Sequence, residues 1–208
     1  ESNILLDNDY SIYSTETYKI KIANNTISGI QGVYLEDSAS AFIHYNFITS
    51  QNYGLVFNST EAVVSFNDII STCFQESCLE IGFTKIGIAG ISASTNSNIK
   101  IMNNNISKYD RIVDIANSDF ESENNKLDFT NYGFYSSNSN LYTENDLISN
   151  ATTGIKLISS ILDSSDLSIT NFEKGIQTLN SSFDVESNSY YGGNICYYLV
   201  DSISNIDS

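Results

Sequence analysis

Proline and tryptophan are absent from this chain of 208 residues, and histidine and methionine occur once each. Without proline, every backbone N–H is free to donate, so no position interrupts a ladder of paired strands. Basic residues are scarce: 9 Lys and Arg stand against 25 Asp and Glu, a formal charge of -16. That balance argues against nucleic acid as a partner, because phosphates call for Lys and Arg. No uninterrupted apolar run approaches the ~20 residues of a membrane helix. The chain is nevertheless 41% hydrophobic and 12% aromatic, which excludes a disordered polymer. What is abundant is Asn (26), Ser (33) and Ile (28).

These residues recur with a period. One column reads Asp37-Ser38, Asn58-Ser59, Asn96-Ser97, Asn117-Ser118, Asn138-Ser139, Ser159-Ser160, Asn180-Ser181 and Asp201-Ser202. Its spacings are 21, 38, 21, 21, 21, 21 and 21. A second column reads Asn25, Asn46, Asn67, Asn104, Asn125, Asn145, Ser165 and Asn188. Two residues after each comes a large side chain, in order Ile27, Ile48, Ile69, Ile106, Leu127, Leu147, Leu167 and Tyr190. A third column pairs Gly with an apolar residue: Gly32-Val33, Gly54-Leu55, Gly133-Phe134, Gly154-Ile155 and Gly175-Ile176. Arg111-Ile112 breaks it.

Within each unit, apolar residues alternate with polar ones, as in Ile99-Lys100-Ile101 and Ile155-Lys156-Leu157. Alternation is the period of a half-buried strand, and Ile, Val, Tyr, Phe and Thr suit a pleated surface. Gly and Asn-Ser mark corners where the backbone bends. A unit of about 21 residues holds three short strands and three turns, and units of this kind stack. Stacking puts Ile on Ile and Asn on Asn, and an Asn ladder hydrogen-bonds coil to coil. The expected ladder is Asn25, Asn46, Asn67, Asn104, Asn125 and Asn145, beside an inward column that includes Leu147 and Leu167. The fold expected is all-β: a single right-handed parallel β-helix over residues 1–208, about nine coils and ~43 Å long at strand spacing.

The segments 24–38 (NNTISGIQGVYLEDS) and 145–160 (NDLISNATTGIKLISS) resemble the repeats of right-handed parallel β-helix proteins, the pectin-lyase-like and NosD-type group. That resemblance implies the fold over nearly the whole chain. It also implies a location outside the cell or on its surface, and a choice among lyases, hydrolases, adhesins and structural surface proteins. A chain without a leader peptide reads as a processed one.

The long spacing in the first column is one period plus 17 residues and places an insertion at about 71–88. Cys73 and Cys78 lie in it, spaced for a loop-clipping disulfide in an oxidising compartment or left as two small thiols. Cys196 is expected as a buried core thiol. Two Cys and the distant His44 do not make a zinc site. Asp7 and Asp9, flanking Asn8, are the candidate calcium ligands, and calcium is the one cofactor considered. The carboxylate pairs Asp7/Asp9, Glu121/Glu123 and Asp163/Asp166 read as solvated charges, and the bases Lys100, Lys108 and Arg111 as the nearest approach to a cationic cluster. Tyr53 and Tyr132 are corner candidates for an outward aromatic stripe, although aromatics on strands are more often core. Five Asn-X-Ser/Thr motifs occur, about as many as composition gives by chance. Alternation turns Asn24 and Asn105 outward, and with Asn150 they are the glycosylation candidates.

With no catalytic constellation in the sequence, the expected function is non-enzymatic: an extracellular structural or adhesive β-solenoid of a cell surface, sheath or filament. Its expected partner is a second copy, since the strands at its ends offer unpaired edges. Surface glycans are a further candidate partner. Nucleic acid and a membrane span are not expected. The alternative is a carbohydrate-active β-helix, lyase, hydrolase or glycan binder.

Overall fold

The structure is a computed structural model that describes residues 2–72, 79–81 and 84–207. It is an all-strand, right-handed parallel β-solenoid of about nine turns with a ~21-residue repeat. The described strands form a 13-stranded and a 9-stranded sheet. One coil shows the unit: strands Asn105–Ser107, Tyr109–Ala116 and Asp119–Glu123, separated by corners at Lys108, Asn117 and Asn124. The first two strands belong to the larger sheet and the third to the smaller. In later coils the first two run on as one bent strand, such as Lys126–Ser137 and Leu147–Ile158. Pairing is parallel and in register, for example Ile99 with Phe120 and Leu141 with Leu162.

Most corners hold a residue in the left-handed region, and Asn and Asp tolerate it best among residues with a side chain. Asn103, Asn124 and Asn145 hold one corner at φ 55°, 56° and 53°. Tyr45 and Phe66 hold the same corner in the two coils before Asn103, and their rings stack at 5.0 Å. His44 packs its ring edge-on against Tyr45.

The residue after this corner forms the ladder. The backbone N–H and the side-chain amide of Asn25, Asn46, Asn67 and Asn104 each donate to the Oδ1 of the next coil's Asn, at 2.8–3.1 Å. The next acceptor after Asn125 is Asp146 and not Asn145, which is exposed at the corner. The following ladder position is Leu167, fully buried, where the sequence pointed to Ser165. The inward column accordingly runs Ile106, Leu127, Ile148, Ile169, all fully buried, and Leu147 faces partly outward. The physical reason is that Asn suits two adjacent positions for different causes: φ at the corner and the amide in the ladder.

A second ladder, of hydroxyls, runs along the second corner. The N–H groups of Thr60, Ser97, Ser118, Ser139, Ser160 and Ser181 donate to the hydroxyl one coil on. Thr60 takes the place expected for Ser59, because coil three carries one extra residue near Gln51. The insertion leaves the solenoid after Ser71 and returns by Gly87. Its described part pairs Leu79–Ile81 with the start of strand Thr84–Ser94 in an antiparallel hairpin. Cys73 and Cys78 lie outside the described residues. Where the chain returns, the ring of Tyr109 fills the solenoid, fully buried, its hydroxyl 2.7 Å from that of Ser50. A Cβ on Gly87 would meet that ring at 2.7 Å.

Candidate contact face

Within the second strand of a coil two consecutive residues turn inward, such as Ile112-Val113 and Gly133-Phe134, all buried. The residues before and after such a pair therefore point outward, three apart, and stack from coil to coil in register. One row reads Tyr53, Ala89, Arg111, Tyr132, Thr153, Lys174 and Ile195, in which the small Ala89 and Thr153 are covered by their neighbours. The row beside it reads Tyr13, Tyr34, Val56, Ser92, Asp114, Tyr135, Lys156, Gln177 and Tyr198. With Tyr10 at one end, seven tyrosines share this face of the larger sheet.

The rings and cations on it are organised. Tyr13 stacks on Tyr34 at 5.3 Å, and Tyr10 meets both edge-on. The Arg111 guanidinium lies 4.0 Å from the centroid of Tyr135. Its Nη1 donates to Asp114 at 2.9 Å. Lys156 stands 5.2 Å from Tyr132 and 5.3 Å from Tyr135, and Lys174 stands 5.0 Å from Tyr198. Such contacts hold a cation in place without neutralising it. Asp114 is raised above its ordinary value, first by burial, with Asp110 adding, against the lowering pull of Arg111. Tyr53 is raised, chiefly by burial and then by Asp114.

The 9-stranded sheet presents the opposite character. Its outward rows carry Lys100, Glu121, Tyr142, Asp163 and Asp184, beside Glu123, Glu144 and Glu186. Lys100 bridges Glu121 at 3.2 Å and Glu123 at 3.7 Å. These residues line a shallow depression. Lys100, Lys108 and Arg111 do not converge: they lie on the smaller sheet, at a corner and on the tyrosine face.

The other sequence candidates fall elsewhere. Asp7 and Asp9 are exposed and line a depression with Ser28, Gln51 and Thr72. Among the described residues no group of three or more His, Cys, Asp or Glu is placed to hold a metal. Asn24, Asn105 and Asn150 are all exposed. Asn150 donates to Asp128 at 2.8 Å and accepts from Asn171 at 3.3 Å. Cys196 is exposed and free, not a core thiol. It occupies the glycine column in a coil that no described coil covers.

Sequence reasoning marked Tyr53 and Tyr132 and missed the rest of the face. The signal was present in the pairs Arg111/Asp114, Tyr132/Tyr135, Thr153/Lys156, Lys174/Gln177 and Ile195/Tyr198, each bracketing an inward pair and each 21 residues from the next. Compared with family models, with curated proteins and with solved structures, the chain matches none.

Proposed function

We propose that this chain is a non-enzymatic structural or adhesive solenoid of the cell exterior, of the cell-surface kind that its repeats resemble. It works by self-association, the tyrosine face of one copy lying against the acidic sheet of the next. The observation that carries this reading is the segregation of side chains in a chain of net charge -16. Lys156 and Lys174 share one face with seven tyrosines and with Arg111, which pairs with Asp114 and Asp110 there, while Glu121, Glu123, Glu144, Asp163, Asp184 and Glu186 line up on the outside of the 9-stranded sheet beside Lys100. Aromatic and Arg side chains are what protein interfaces enrich. A face about five residues wide along a ~43 Å rod offers roughly 700 Å² per copy, close to the ~800 Å² per partner of a standard interface. The two faces differ, so the contact is heterologous and extends into a filament or layer instead of closing as a dimer.

Sedimentation velocity over a concentration series at 0.15 M salt tests it. The expected result is concentration-dependent growth that the double variant Lys156→Glu/Lys174→Glu abolishes while keeping its β-sheet circular dichroism. Monomers at every concentration overturn the self-association. If such monomers are retained on polygalacturonate, and the same double variant is not, the tyrosine face belongs instead to an anionic glycan. That is the carbohydrate-binding alternative, favoured by the same pairing of lysine with tyrosine rings.

A further inference from the structure

The asparagine ladder contains one residue that cannot do what its neighbours do. In Asn46, Asn67 and Asn104, Oδ1 accepts from the coil before. Nδ2 donates to two backbone carbonyls, those 24 or more residues and two residues earlier. For Asn104 these are Val64 and Met102, at 3.0 and 3.1 Å. Asp146 occupies the same position with its Oδ1 accepting from the backbone N–H of Asn125 at 2.7 Å and from its side-chain amide at 3.1 Å. Its Oδ2 stands where the others carry Nδ2. The carbonyls that the repeat places there are those of Ser122 and Glu144, which can only accept. Oδ2 is buried and has no hydrogen-bond partner.

The surroundings do not supply a counter-charge; besides Asn125, the neutral group beside Asp146 that favours its ionised form is the Ser122 hydroxyl, which also accepts from the Asn125 amide. None of the ion pairs among the described residues includes Asp146. From the coil before, Glu123 adds repulsion, and Lys126 beyond Asn125 is exposed. On its own strand side, Glu144 and Asn145 are exposed. From the coil after, the ladder position is Leu167, and Asp166 turns outward at the corner.

We propose that Asp146 is a proton-operated stitch of the solenoid, seated in the ladder as the neutral acid with its proton on Oδ2. That O–H takes the place of the amide N–H of the neighbouring coils and donates to the carbonyl of Ser122 or Glu144. Loss of the proton sets a buried carboxylate oxygen against carbonyl oxygens and loosens the join between this coil and the one before. The titration behaviour agrees: burial, the largest influence, raises the group to about 6 against the lowering effect of Ser122 and Asn125.

Two measurements on the whole chain test this. The first is the ratio of folding equilibrium constants, Asp146→Asn over wild type, from urea unfolding at several pH values. Asparagine is the permanent mimic of the protonated acid, and the ratio cancels every other titrating group. It is expected to rise about sixtyfold from pH 4 to pH 7.5, and a ratio constant within about threefold overturns the proposal. The second needs no variant: the ¹³C resonance of the Asp146 carboxyl in the folded wild type. A midpoint near that of the raised group supports the stitch. A midpoint at or below the ordinary aspartate value contradicts it, including in the event that the Asn variant does not fold.

Discussion

Replacing Asn104 with leucine isolates what the ladder contributes. Asn104 sits mid-column and is 2% exposed. Its Oδ1 accepts from the backbone N–H and side-chain amide of Asn67, both at 3.0 Å. Its Nδ2 donates to Val64 O, Met102 O and Asn125 Oδ1 at 3.0, 3.1 and 2.9 Å. Leucine removes all five. The Asn67 side-chain amide retains the carbonyls of Ile43 and Ser65, so the group left stranded on that side is the Asn67 backbone N–H. A buried unsatisfied donor costs about 1–3 kcal/mol, and each net hydrogen bond lost costs about 1 more. Leucine itself fits, as the fully buried Leu167 shows in the same column, and its burial returns about 2 kcal/mol. The expected balance is a loss of about 3–5 kcal/mol, a drop in Tm of roughly 6–20 °C for a domain this size. The control is Asn105→Leu, one residue on and exposed, which is expected to change stability by no more than about 0.5 kcal/mol. Thermal melts by circular dichroism read both. An Asn104→Leu melt equal to wild type, or the two variants falling equally, refutes the ladder argument.

Ile106→Ala removes a fully buried side chain whose Cγ2 would lie 2.6 Å from a Cβ on Gly90; a loss of about 2–5 kcal/mol is expected from urea midpoints. Asp146 makes stability fall with pH: its value is raised from 3.8 to about 6, so the folded state holds the extra proton between those values. The stability it contributes is fully present below pH 3.8 and is lost as pH rises through about 6, a change of about 3 kcal/mol. Cys196, being exposed, is expected to react with a thiol reagent in the native protein without denaturant, and protection until unfolding would contradict its placement.

The period was legible because each coil repeats the same constraints, so Ile27, Ile48, Ile69 and Ile106 announced the core by spacing alone. The ladder was legible only up to Asn125. Beyond it, residue type and register part company: Asn145 is the corner residue, and the ladder passes to Asp146 and then Leu167. Holding to 21 residues and not to asparagine would have found Asp146. The tyrosine face was harder to read. Strict alternation fails inside the second strand of the coil, where Gly133 and Phe134 both turn inward, so the outward residues lie three apart and not two. Tyr109 illustrates the converse: an aromatic of the same type in a neighbouring position is wholly internal, because the insertion opens room lined by Gly54, Gly87 and Gly90. Nothing in the local sequence distinguishes it from its outward counterparts.

The most direct test of the contact-face account is a mixing experiment by sedimentation velocity. One variant reverses the tyrosine face (Lys156→Glu/Lys174→Glu) and the other reverses the acidic sheet (Glu121→Lys/Glu144→Lys). Each alone is expected to sediment as a monomer, because each has lost one half of a contact between unlike faces. Mixed in equal amounts at 0.15 M salt, they are expected to associate, since the intact acidic sheet of the first meets the intact tyrosine face of the second. A mixture that remains monomeric, while wild type associates, contradicts the pairing of these two faces.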